Sequence, residues 1–315
     1  MSSDQPKKIY RYQRFSAKAV DSLCRDVLHF AAPTAFNDPL ECQPTVESDS
    51  DRETLRLVLT QLIRRRVEAE SLASLKIAKL NGKRASAHAK RLGKQAAHDE
   101  LANIAYHATN PEYEVSKEDA ECWLLNSKIQ DEFLRQYNRG ACCFSSVFKN
   151  PLLWSHYGDQ HRGMCIGYDL NRNPKPKLHK VEYGGDRIVL TSLIADALLN
   201  NDPKSQELLE RKVLLQKASP WRYEREWRLI DNRGVQDSPL ALKDVTFGLR
   251  CPSSVMHAII MALESRENEV KFYGMREIPG SFKLRREPVD IDNMRVNLPR
   301  TAKSGPEIFG PIDED

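Results

Sequence analysis

Residues 141–169, ACCFSSVFKNPLLWSHYGDQHRGMCIGYD, carry the pattern from which the fold follows. ACCFSSVF is a short apolar run that predicts a strand, with Ser145 and Ser146 at its end. Asn150 and Pro151 open a brief helix carrying LLWSHYGDQHRG, because the fixed φ of proline suits a first helical position. MCIGYD then reads as a buried strand. The order is strand, helical turn, strand.

Working outward, IYRYQRF alternates as a strand, with Tyr10 and Tyr12 on one face and Ile9, Arg11 and Gln13 on the other. Ser16 caps a helix to about Arg25, VLHFA is a second strand ended by Pro33, and AFNDPLE is an ordered turn. From Asp51 to about Thr109 the chain is charged and alanine-rich, with Leu55, Val58, Leu59 and Leu62 at helical spacing and a break at Asn81 and Gly82. SKED from Ser116 is a capping-box pattern for a helix to about Tyr137.

Toward the C-terminus, KVEYGG reads as a strand and residues 188–217 as two helices split near Asn201–Pro203. EREWRLI, DVTFGLR, EVKFYG and SFKLRRE read as strands, with SSVMHAIIMAL a helix between the second and third. The expectation is an α+β fold with mostly antiparallel central sheets. It forms one domain over 1–290, interrupted by a helical insertion at about 51–137, with a poorly ordered tail at 291–315.

The chain has 315 residues and a hydrophobic fraction of 40%, enough for one large core or two modest ones. MSSDQPKK lacks an apolar leader, and no stretch approaches the roughly 18 apolar residues that span a bilayer, so the expected location is cytoplasmic, without membrane. Seven cysteines without a C-x-x-C pair predict reduced, mostly buried thiols, and the five-position step from His156 to His161 is a poor ligand spacing, so no metal is expected. A net charge of +4 excludes a global polycation. Residues 64–94 nevertheless hold ten Lys or Arg against two Glu, which reads either as a solvated helical surface or as an arm for RNA or DNA. No Gly-rich phosphate loop occurs, so a nucleotide here is held by side chains such as Arg11 and serine hydroxyls.

Chemistry-bearing residues concentrate in two places. In WRYEREWRLI, residues 221–230, strand alternation puts Glu224, Glu226 and Arg228 on one face and Tyr223, Trp227 and Leu229 on the other. Two carboxylates two residues apart suit acid and base work, cation binding, or stabilisation of a cationic sugar-like transition state; they also suit an exposed face on which Arg228 offsets their repulsion. In 144–169, Ser145, Ser146, Trp154, His156 and Tyr157 lie close together. Three residues apart on a helical turn, Trp154 and Tyr157 share a face that is either core or an aromatic wall for a planar ring.

Taken in order, IYRYQ, FNDPLE, CFSS, LLWSHYGDQHRGMCIGYD and WRYEREWRLI resemble the bacterial family catalogued as domain of unknown function 2971. That resemblance implies no activity. The order of Arg11, Ser145 or Ser146, and Glu224 with Glu226 is also similar to the arginine, serine, glutamate layout of ADP-ribosyltransferases. This second resemblance implies a split sheet and NAD as substrate, with an ADP-ribosyltransferase or NAD glycohydrolase activity of a toxin or defence effector. It assigns the NAD phosphates to Arg11, ordering of the site to the serine, catalysis to Glu226, acceptor activation to Glu224, and the flanks of the nicotinamide to Trp154 or Tyr157. His156 is grouped with the ligand-binding residues. The serine block reads Phe-Ser-Ser where that layout has Ser-Thr-Ser. A nucleic-acid-binding protein and a noncatalytic nucleotide-ligand sensor are the competing readings.

Overall fold

In the computed structural model, which describes residues 5–310, the chain opens on strand β1 (Lys8–Gln13). The Ser16 hydroxyl accepts from the Ala19 N–H at 3.2 Å and caps helix α1 (Ala17–Cys24). Strand β2 (Val27–Phe30) stops short of Pro33. The FNDPLE turn is fixed by Asp38, whose carboxylate accepts from the Leu40 N–H at 2.9 Å, and leads to β3 (Thr45–Glu47).

Three helices follow. They are α2 (Arg52–Ile77), α3 (Lys83–His107) after the break at Asn81 and Gly82, and α4 (Lys117–Gln136), capped by Ser116. Strand β4 (Arg139–Ser145), helix α5 (Pro151–His156) and strand β5 (Met164–Asp169) realise the order read from 141–169. Short strands β6 (His179–Lys180), β7 (Glu182–Tyr183) and β8 (Ile188–Leu190) lead into α6 (Thr191–Leu198), α7 (Pro203–Leu214) and β9 (Gln216–Lys217). The last part runs β10 (Glu226–Asn232), β11 (Gly234–Asp237), β12 (Ala241–Phe247), α8 (Ser253–Leu263), β13 (Lys271–Glu277) and β14 (Leu284–Pro288). Two short helices, α9 (Ile291–Asn297) and α10 (Gly305–Phe309), occupy the stretch expected to be a poorly ordered tail, of which residues 311–315 lie outside the described residues.

One local expectation is corrected. The strand read over 221–230 begins only at Glu226, because Ser219–Glu224 form a 3-10 helix with Pro220 in its first turn. Arg225 then takes a left-handed conformation, φ 47°, which breaks the alternation between Glu224 and Glu226.

Eight strands form one sheet in the order β14-β13-β12-β5-β1-β4-β10-β6, confirming the α+β class. Its pairings are antiparallel except β12 with β13, which α8 connects as a crossover. Ile9, Phe144, Ile166, Leu229 and Phe247 pack on one face under Leu23 of α1 and Ile259 and Ile260 of α8. A second core joins Leu55, Leu59 and Ile63 of α2 to Leu125 and Ile129 of α4, Ile194 of α6 and Leu214 of α7. At about 1.5–3 kcal/mol for each fully buried large aliphatic, these cores carry the fold and leave other groups available for a site.

The sheet has a weak seam. β1 pairs with β5 along its whole length but with β4 only at Tyr10↔Ser145. The other end of β4 bridges Ala141 to Ala31, and the ladder gives no pair between these two points. The strands diverge there and leave an opening through the sheet.

Candidate functional site

A cavity of about 270 Å³ fills that opening. Its lining includes Tyr10, Arg11 and Tyr12 of β1, and Cys142, Cys143, Phe144 and Ser145 of β4. Successive strand residues point to opposite faces, so a cavity lined by consecutive residues of both strands passes between the strands, through the sheet. Tyr157, Lys217, Glu224, Glu226 and Glu41 line it as well.

Its acidic end is a buried cluster. The Lys217 ammonium donates to Glu224 Oε2 at 2.6 Å and Glu226 Oε2 at 2.8 Å, and lies 3.3 Å from Glu41 Oε2. Arg228, wholly buried, donates from Nε to Glu226 Oε1 at 2.7 Å and also binds Glu41 and the Leu214 carbonyl. Three carboxylates against two cations leave one net negative charge when all are ionised. Burial disfavours a charged Glu226, but Arg228 and Lys217 outweigh it and bring its carboxyl down to about 2. Burial pushes the Glu224 carboxyl up, opposed by Lys217 and reinforced by the neighbouring Glu226 charge. Burial works against the Lys217 ammonium too, yet the three carboxylates hold its pKa above the ordinary lysine value.

The loop geometry explains how Glu224 arrives there. The Ser145 hydroxyl donates to the Glu224 carbonyl at 2.6 Å and accepts from the Val147 N–H at 3.1 Å, tying the end of β4 to the 3-10 helix. Asn150 donates to the Tyr223 carbonyl at 3.1 Å, and the Tyr157 hydroxyl donates to Glu224 Oε1 at 2.8 Å. Glu226 is fixed from behind, its N–H donating to the Tyr183 hydroxyl at 2.7 Å.

The other end is basic. Arg11 and His29 line both this cavity and a second one of about 250 Å³, which adds Arg14, Lys18, Ser16 and Ser22 and contains no carboxylate. Among the described residues the Arg11 guanidinium has no hydrogen-bond or ion-pair partner. A guanidinium without an anion, facing a cavity, is suited to bind one bidentately.

Of the residues singled out in the sequence, Arg11, Ser145, Tyr157, Glu224 and Glu226 line the one cavity. Ser146, Trp154 and His156 do not. Ser146 is absent from this lining: its N–H donates to the Arg225 carbonyl at 3.1 Å, and it lines another cavity with Arg222, Trp227 and Glu226, the last shared with the first cavity. Trp154 is core, wholly buried, with its indole N–H donating to the Phe148 carbonyl at 2.9 Å and its ring edge-on to Tyr12. Tyr157, the C-cap of α5, keeps a helical hydrogen bond to the Leu153 carbonyl at 2.9 Å but sends its hydroxyl to Glu224 while Trp154 packs into the core. His156 lies against Trp221, ring centroids 6.4 Å apart.

Sequence reasoning passed over Lys217 and Glu41 and left Arg228 on a face turned either to a cleft or to solvent. Glu41 ends the FNDPLE block, and a buried pair of glutamates demands cations, so charge balance was the available signal. Among the described residues no group of three or more His, Cys, Asp or Glu is arranged to hold a metal ion, and no helix is long and apolar enough to cross a membrane.

No curated protein and no solved structure matches the chain. A family model does match, over a segment that contains Tyr157, Lys217, Glu224, Glu226 and Arg228 but neither Arg11 nor Ser145. Residues 153–229 match the model of the family described as protein of unknown function (DUF2971).

Proposed function

We propose that the cavity binds NAD and breaks its nicotinamide–ribose bond, as an ADP-ribosyltransferase or NAD glycohydrolase. The observation that carries this reading is the placement of an unpaired Arg11 and a buried Glu224/Glu226 pair on one cavity. The basic end takes the diphosphate, with Arg11 as its fork. The acidic end faces the ribose.

As the C–N bond breaks, its electron pair leaves with nicotinamide and positive charge develops on the ribose. Glu226, held ionised by Arg228 and Lys217, supplies fixed negative charge beside that centre from a buried position. Glu224 takes the proton of the attacking acceptor. When the acceptor is water, C1′ gains its oxygen and the products are nicotinamide, ADP-ribose and one proton. Tyr157 orients the Glu224 carboxylate through its hydrogen bond. Unrestrained NAD consumption of this kind suits a toxin or defence effector.

Nicotinamide release from NAD by the purified protein tests the reading, with Glu224→Gln as the isosteric control. Turnover in wild type and a loss of about 10²–10⁴-fold in the variant, the usual worth of a general base, is the expected result. Thermal stabilisation by NAD without any product in wild type supports a noncatalytic ligand sensor instead. Neither binding nor turnover removes the NAD reading.

A further inference from the structure

The cations of the α2/α3 hairpin fall into two sets. Near its base, Arg52 and Arg56 pair with Glu121, Arg64 with Glu68, and Arg66 with Glu70 and Glu132. These are consumed by the fold. Toward the tip, residues 71–98 contain no Asp or Glu, and Lys83, Arg84, Lys90, Arg91 and Lys94 of α3 are all exposed. None of the five has an ion-pair partner among the described residues; the single polar contact is Arg91 with the His88 ring.

Helical geometry makes these five a strip. At about 100° and 1.5 Å per residue they fall within an arc of about 120° and extend over about 16 Å of α3. The buried side of α3 presents Ala89, Gly93 and Ala97 to α2. A Cβ at Gly93 would stand 3.0 Å from the Arg64 carbonyl oxygen, so the two helices touch backbone to backbone and the strip is mounted on a stiff arm. A linear row of uncompensated cations matches a linear polyanion, whereas a lone phosphate is bound by groups that converge. The exposed aliphatics of α2 do not form a face that could enter a bilayer, since Leu72 and Ile77, five residues apart, point about 140° from each other.

We propose that this strip binds the phosphodiester backbone of a nucleic acid without reading its sequence. It narrows the basic stretch 64–94 to the distal part of α3, and it is independent of the chemistry assigned to the cavity.

Fluorescence anisotropy with a labelled single-stranded RNA and a labelled DNA duplex, over a salt series, tests the proposal. Five phosphate contacts predict a slope of about −3.5 in log affinity against log salt for the single strand, so that affinity falls about 100-fold between about 50 and about 200 mM. The variant K83Q/R84Q/K90Q/R91Q/K94Q keeps helix propensity and loses the binding, with unchanged helical circular dichroism showing that it folds. Arg11→Ala binds RNA like the wild type, which separates this result from the cavity's. Absence of binding to both probes, salt-insensitive binding, binding retained in the five-fold variant, or attachment only to phosphatidylserine vesicles overturns the proposal.

Discussion

Replacing Arg228 by methionine asks whether charge holds the acidic end of the cavity together. The guanidinium is wholly buried and serves Glu226, Glu41 and the Leu214 carbonyl. Methionine keeps much of its volume and removes its charge, so three carboxylates then face Lys217 alone and the net negative charge of the cluster rises from one to two. Removing one partner of a buried ion pair costs about 3–5 kcal/mol, well above the ~1 kcal/mol of an average substitution. At about 2–4 °C per kcal/mol for large domains, Tm falls by about 10 °C. Urea unfolding at pH 7 and again near pH 4 checks this. Without Arg228 the Glu226 carboxyl is no longer held down, so the variant recovers stability relative to wild type as acid protonates it. A loss under about 1 kcal/mol, or one that is the same at both pH values, refutes the reasoning.

In the wild type, the Glu226 carboxyl is held at about 2 against an ordinary value of 4.5, so its stabilisation is present above pH 4.5 and disappears as pH falls toward 2. This is worth about 3 kcal/mol, and Glu224, shifted upward, works in the opposite sense as pH rises; acid titration of Glu226→Gln should show a flatter loss. Tyr157→Phe removes the donor to Glu224 without touching the ion pairs, and is expected to lower kcat for nicotinamide release more than it changes stability, about 1 kcal/mol by chemical denaturation. Gly93→Val forces a Cβ to within 3.0 Å of the Arg64 carbonyl oxygen and is expected to cost about 1–3 kcal/mol, read as a drop in Tm and helical circular dichroism.

The elements whose ends carry local chemistry were legible in the sequence. Ser16, Asn150 and Ser116 each cap the helix predicted from them, and Asn81 and Gly82 separate α2 from α3. Boundaries set by tertiary contacts were not. The 3-10 helix before β10 depends on Ser145 and Asn150 holding the carbonyls of Glu224 and Tyr223, partners more than 70 residues away. β3 pairs with β8 and β11 with β2 for the same non-local reason, and neither β3 nor β11 had a pattern long enough to read.

The site divides likewise. Alternation along IYRYQ placed Arg11 opposite Tyr10 and Tyr12, and all three line the cavity because β1 and β4 separate after one pair. No local pattern announces that separation. Lys217 was invisible as a site residue because its meaning lies in the three carboxylates brought to it from 41, 224 and 226. Whether Arg228 faced a cleft or solvent stayed open, because alternation tells which side of a strand a residue occupies, not whether that side is covered.

A crystal structure of the protein with ADP-ribose bound tests whether the opening in the sheet is the ligand site. The account predicts electron density running through the gap between β1 and β4, with the diphosphate within hydrogen-bond distance of Arg11 and the terminal ribose beside Glu224 and Glu226. Ligand bound elsewhere, with Arg11 facing an empty opening, would contradict it.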